Sequence, residues 1–161
     1  MYGLRVTGLG QAHGMSYDQV THVIKRYFEV RPKLKGYIDT IKNQAKEKGY
    51  VETIFGRRRP TPDVHSSNFA GREAAYRAAV NVPFQGSAAD IMKLAMVRLQ
   101  EKLDGTDCEL LLQIHDSVIA ECPEKDAEKY ATLIKQTMED VHKLTVKLTV
   151  DTSTGKTWGE L

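Results

Sequence analysis

Two constellations in the sequence combine residue types and spacings that can do chemistry. His115 and Asp116 stand side by side in LLLQIHDSVIAECP, residues 110–123, where two apolar runs flank a short polar break. That pattern reads as a hairpin with the pair at its tip. A carboxylate on a rigid tip is a good fixed ligand for Mg2+, which takes carboxylate and phosphate oxygens together. The plainer reading is that Asp116 caps its own turn and His115 is a satisfied turn histidine. The second constellation is Arg77, Asn81 and Gln85, four residues apart in succession. On a helix they share a face, although Pro83 must distort the last step. All three carry hydrogen-bond donors. Facing a DNA minor groove, such donors meet the purine N3 and pyrimidine O2 acceptors that every correctly formed base pair presents in nearly the same positions. They would sense pairing geometry without reading sequence. The spacing serves a solvated polar stripe equally well.

A basic run, Arg57, Arg58 and Arg59, follows Lys42, Lys46 and Lys48 and suits either a phosphate backbone or solvent. The formal charge of +2 conceals an asymmetry: residues 1–80 hold 14 Lys/Arg against 7 Asp/Glu, and residues 81–161 hold 9 against 14. A basic first half suits a polyanion, and an acidic second half suits a cation site or plain solvation. The sequence has no Walker-type loop, zinc-ligand pattern or GxSxG elbow, which weakens NTPase, zinc-module and hydrolase readings. No apolar run approaches the ~20 residues of a membrane span, and the start lacks the order of a signal peptide. The chain is expected in the cytoplasm. Cys108 and Cys122 lie seven residues either side of His115, so a hairpin could make them cross-strand neighbours. In a reducing compartment they are expected to be separate half-buried thiols.

SYDQ at 16–19 fits a capping box opening a helix that Arg31-Pro32 interrupts. A second helix runs to Gly49, and YVETI at 50–54 with the basic run forms a short hairpin or arm. TPDVHSSN reads as loop. An Ala-rich helix from Phe69 to Val82 meets Pro83, which breaks or bends it, and a long helix resumes through Leu99. Strands 109–114 and 118–122, a helix over 124–142 and a strand at 145–150 complete the pattern. The order predicts an α+β fold, an antiparallel sheet backed by helices, with one core closable within residues 84–150.

Taken together, the motifs resemble the C-terminal polymerase region of family A DNA polymerases, the bacterial DNA polymerase I group, over essentially the whole chain. Tyr2-Gly3, GYVETIFGRRR, SSN at 66–68, RAAVNVPFQGSAADIMK at 77–93 and QIHDSV at 113–118 follow in the family's order and spacing. The resemblance implies a fingers-derived helical segment with a basic arm over residues 1–83 and a palm segment over 84–161, with the HD-tipped hairpin central to an antiparallel palm sheet. It implies that Asp116 is one of two carboxylates holding two catalytic Mg2+ ions and that His115 lies near the primer's 3′ end. Arg77, Asn81, Gln85 and Gln113 match the family's minor-groove and primer-template contacts, and Tyr2 matches the fingers tyrosine beside the templating base. The implied partners are primer-template DNA, deoxynucleoside triphosphates and upstream polymerase segments; the implied location is cytoplasmic, at the nucleoid.

Two departures accompany the resemblance. Ser117 follows the HD pair where the family usually has Glu, which implies altered metal tuning more than lost chemistry. The family's other essential metal-binding Asp and the fingers Lys and Arg that grip the triphosphate lie upstream of Tyr2. Phosphoryl transfer by two metals needs both ions clamped, so residues 1–161 alone are expected not to extend a primer. Two other classes remain in view. A sequence-independent DNA-binding module would keep the basic face and donor stripe without needing Asp116. A small metal-dependent nuclease would need more carboxylates near Asp116, and alternation turns Glu121 to the opposite face.

Overall fold

The computed structural model of the chain describes residue 10 and residues 12–161. Helix α1 (Tyr17–Glu29) opens on the expected capping box: the Gln19 N–H donates to Ser16 Oγ at 3.3 Å, and the Ser16 N–H donates to Gln19 Oε1 at 2.8 Å. Helix α2 (Pro32–Lys48) starts on a proline whose missing N–H costs nothing there, and Gly49 ends it in the left-handed region at φ 73°. Strands β1 (Tyr50–Glu52) and β2 (Arg58–Pro60) pair antiparallel with Val51 opposite Arg59. The TPDVHSSN loop contains one 3-10 turn, Pro62–His65, that buries Val64.

Helix α3 (Phe69–Asn81) is capped by Asn68, whose Oδ1 accepts from the Ala70 and Gly71 N–H groups. Pro83 does not end the helical run. It sits in a single π-helical turn, Val82–Gly86, and helix α4 (Ser87–Leu103) continues directly. Proline offers no N–H and its ring clashes with the carbonyl four residues back, so the helix widens locally there. Ile41, Ala45, Val51, Val64, Ala79 and Val82 form the core of the unit that ends at Ser87.

The unit from Ala88 onward holds most of α4, strands β3 (Glu109–Ile114) and β4 (Ser117–Glu121), and helix α5 (Ala127–Glu139) behind a short 3-10 turn. Its core gathers Leu103, Cys108 and Tyr130, with Leu110, Ala120, Cys122 and Leu133 against them. Lys102 Nζ donates to Thr137 Oγ1 at 3.0 Å, tying α4 to α5. The α+β class holds: helices with two antiparallel strand pairs.

Two boundaries need correction. The final helix stops at Glu139 rather than His142, and Val141 turns into the core. Residues 145–150 are not a strand. Among the described residues no strand runs beside them, and the Val150 N–H donates to the Glu139 carboxylate at 3.0 Å instead of a ladder carbonyl. Alternation survives only as half-buried Leu148 and Val150 beside exposed Val146. No helix among the described residues is long and apolar enough to cross a membrane.

Candidate functional site

The β3–β4 hairpin does place His115 and Asp116 alone at its tip. Ile114 pairs with Ser117, leaving a two-residue turn, and the register runs back through Gln113↔Val118 and Leu112↔Ile119 to Glu109↔Glu121, with a bulge between Leu110 and Leu112. His115 takes φ 54°, a left-handed conformation that histidine adopts more readily than most residues but that still costs about 1 kcal/mol. Two side chains brace the turn. Gln113 Nε2 donates to the His115 carbonyl, and Ser117 Oγ donates to the Ile114 carbonyl at 2.9 Å. Gln113, matched by resemblance to a primer-template contact, thus spends a donor on the turn itself. Ser117 does likewise, which explains locally what a hydroxyl offers at that position.

Asp116 is exposed, and its carboxylate has no hydrogen-bond or ion-pair partner among the described residues. That availability suits a metal ligand. One carboxylate is nevertheless not a two-ion cage, and among the described residues no group of three or more His, Cys, Asp and Glu is placed to hold a metal. The residues present fit part of such a centre and not the whole. Glu121, the nearest candidate for a nuclease reading, lies at the opposite end of β4, roughly 15 Å along the strand.

Arg77 and Asn81 lie half-buried on α3, and Gln85 is exposed on the π turn. The helix therefore carries the three in succession, but the step from Asn81 to Gln85 runs through i→i+5 geometry. Asn81 Oδ1 is buried with no hydrogen-bond partner among the described residues. Leaving an amide oxygen so placed costs about 1–3 kcal/mol.

The basic arm separates into three different residues. Arg58 donates to Glu52 Oε1 at 2.8 Å and lies over the Tyr50 ring; that hydrogen bond first, then the charges of Tyr50 and Glu52, raise its pKa. Arg57 donates to the Gly86 carbonyl at 3.1 Å. Arg59 is exposed and, like Lys42, Lys46 and Lys48, has no side-chain partner among the described residues. Tyr2 lies outside the described residues.

Cys108 and Cys122 are free thiols and not a disulfide, as expected, with Cys108 buried and Cys122 half-buried. They extend the Glu109↔Glu121 register by one pair, and the Cys108 thiol is pushed up by burial and then by the neighbouring Cys122 thiol. Sequence reasoning missed Thr53 and Ser87, both buried polar residues between the arm and the π turn. SAAD at 87–90 has the outline of a capping box, but Ser87 is already helical at φ −68°, ψ −39°, and its hydroxyl turns back to the Pro83 carbonyl.

The family description "DNA polymerase family A" matches residues 1–160. DNA polymerase I of Lactococcus lactis subsp. lactis (strain IL1403) is 43% identical over 162 residues, covering 99% of this chain and 18% of the relative. The thermostable DNA polymerase I of Thermus aquaticus is 42% identical over 158 residues, covering 98% of this chain and 19% of that one. The chain thus spans less than a fifth of the length of these relatives. Among solved structures, the POL domain of Pol1 from M. smegmatis in complex with DNA primer-template and dNTP superposes with a TM-score of 0.86 at 37% identity, over 91% of this chain and 26% of that one. A match of this extent, over nearly the whole chain, means that the chain belongs to DNA polymerase family A.

Proposed function

We propose that residues 1–161 are the C-terminal polymerase part of a DNA polymerase I-like enzyme, which adds deoxynucleotides to a primer 3′ end as a template directs. Residues 1–83 form its fingers-derived segment with the basic arm, and residues 84–161 its palm segment. The observation that carries this reading is the Asp116 carboxylate, without a partner among the described residues, on a turn braced by Gln113 and Ser117.

Asp116 would supply one ligand toward Mg2+, and a bound pair of such ions would supply activation of the primer 3′-oxygen and charge for the leaving pyrophosphate. His115 lies at the primer end. Arg77, Asn81 and Gln85 hold the minor-groove edge of the primer-template duplex, with Tyr2 beside the templating base; Arg59 and the α2 lysines follow its phosphates. The solved relative's complex with primer-template and dNTP supports both ligand classes. The setting is the bacterial cytoplasm, at the nucleoid.

Primer extension with Mg2+ and four deoxynucleotides tests the reading. Residues 1–161 alone should add no nucleotide, because one carboxylate cannot offset the repulsion of two closely spaced divalent ions. Joining an upstream family A segment with the second Asp and the fingers Lys and Arg should restore extension, and Asp116→Ala should abolish it again. An extended protein indifferent to Asp116→Ala would remove Asp116 from the site. DNA cleavage without addition would favour the nuclease reading, and duplex binding unconnected to any extension would favour a DNA-binding module.

A further inference from the structure

The loop between β1 and β2 closes onto the π turn through a small set of contacts. The Ile54 N–H donates to Ser87 Oγ at 3.0 Å, and the Ser87 hydroxyl in turn donates to the Pro83 carbonyl. The Arg57 guanidinium donates to the Gly86 carbonyl at 3.1 Å. Gln85 is therefore flanked on both sides by backbone carbonyls that the latch holds. Thr53, only 6% exposed, stiffens the loop: its Oγ1 accepts from the N–H groups of Phe55 at 3.3 Å and Arg57 at 3.2 Å. The approach is close enough to dictate a glycine, since a Cβ on Gly86 would lie 2.8 Å from Thr53 Cγ2 and 3.4 Å from the Arg57 guanidinium.

A π turn has no preferred partner for every carbonyl it widens past, so its geometry is set by whatever side chains satisfy them. We infer that Arg57 and Ser87 are positioning residues: they latch the β1–β2 loop to the π turn and thereby fix the spacing and aim of Asn81 and Gln85 toward a base-pair edge. Arg57 acts inside the protein, not on a phosphate. The inference rests on reading Arg77, Asn81 and Gln85 as a minor-groove donor row, and it adds to that row the element that sets its geometry. A row that senses pairing shape by the positions of N3 and O2 acceptors must be held to a fraction of a hydrogen-bond length. The latch supplies that constraint.

The test is the affinity of the full chain for a fluorescent primer-template duplex ending in a matched pair, and for the same duplex ending in a mismatch. The wild-type chain should prefer the matched end by several-fold to about tenfold, the span expected when one or two hydrogen bonds are misaligned. Ser87→Ala and Arg57→Met should each bring that ratio close to one while lowering matched affinity by less than about threefold, and Ser87→Thr, which keeps the hydroxyl, should restore the ratio. Circular dichroism confirms the fold of each variant. Arg57 is exposed, so Arg57→Met reads the latch even if Ser87→Ala fails to fold. Equal weakening of both duplexes by Arg57→Met would make Arg57 a phosphate contact and overturn the latch. An unchanged ratio in both variants, with Arg77→Ala lowering it, would overturn the latch and leave the donor row standing. A wild-type chain with no preference, or indifferent to Arg77→Ala, would overturn the donor row itself.

Discussion

Side-chain chemistry in this chain is decided over a few ångströms, by which carbonyl, thiol or carboxylate lies beside a group. Cys108 is 2% exposed, and burial raises its pKa, with the adjacent Cys122 thiol adding to the shift. The thiolate is the nucleophile, so Cys108 should alkylate more slowly than half-buried Cys122 in the native chain. Brief iodoacetamide treatment followed by peptide mass spectrometry checks this, and equal labelling would contradict the burial argument. The sign of the linkage follows. Because the folded value is raised above the unfolded one, the contribution of Cys108 is fully present below the ordinary thiol value of about 8.5 and is lost as pH rises toward the raised value. Cys108→Val should flatten the fall in stability on that alkaline side and leave neutral pH behaviour unchanged in slope.

The β3–β4 hairpin shows how an element converts composition into geometry. Its two-residue turn forces one residue into the left-handed region, and the sequence puts His115 there. His115→Asn should keep the hairpin, because Asn visits this region with little penalty. His115→Val should destabilise the unit by about 2 kcal/mol or more, because a β-branched side chain is a genuine outlier there. Urea midpoints of the two variants check the difference; equal midpoints would mean that the turn relaxes to another form. The π turn makes the same point on the other unit. Pro83 does not end its helix because a local widening satisfies both the missing N–H and the clashing ring.

Across the whole chain, the charge that counts toward a polyanion is smaller than the sequence tally of basic residues. Arg58 is matched by Glu52, whereas Arg59, Lys42, Lys46 and Lys48 have no side-chain partner among the described residues. A cation already paired releases few counterions when it approaches a phosphate. Duplex binding by the chain should therefore weaken with salt, with Arg59→Met lowering the log-log slope by about 1 and Arg58→Met changing it far less. Titrations of a duplex between low and moderate salt measure both slopes. A larger loss from Arg58→Met would show that the Glu52 pair opens on DNA.

The sequence by itself determined the elements whose causes are local. The capping box at Ser16, the stop at Gly49, the hairpin around His115-Asp116 and the Ala-rich helix before Pro83 all follow from contacts within a few residues, and each was legible from spacing. The family was legible too, because several motifs stood in register. Tertiary structure alone decided the rest. Whether residues 145–150 become a strand depends on a neighbour to pair with, and alternation cannot supply one. Whether Arg57 meets solvent or the Gly86 carbonyl depends on a hydrogen bond across 29 positions. The local pattern at Ser87 permits a cap, yet its hydroxyl accepts from the N–H of Ile54, 33 residues earlier. Propensity and spacing report what a residue can do with its near neighbours; partners distant in sequence are chosen only when the chain closes on itself.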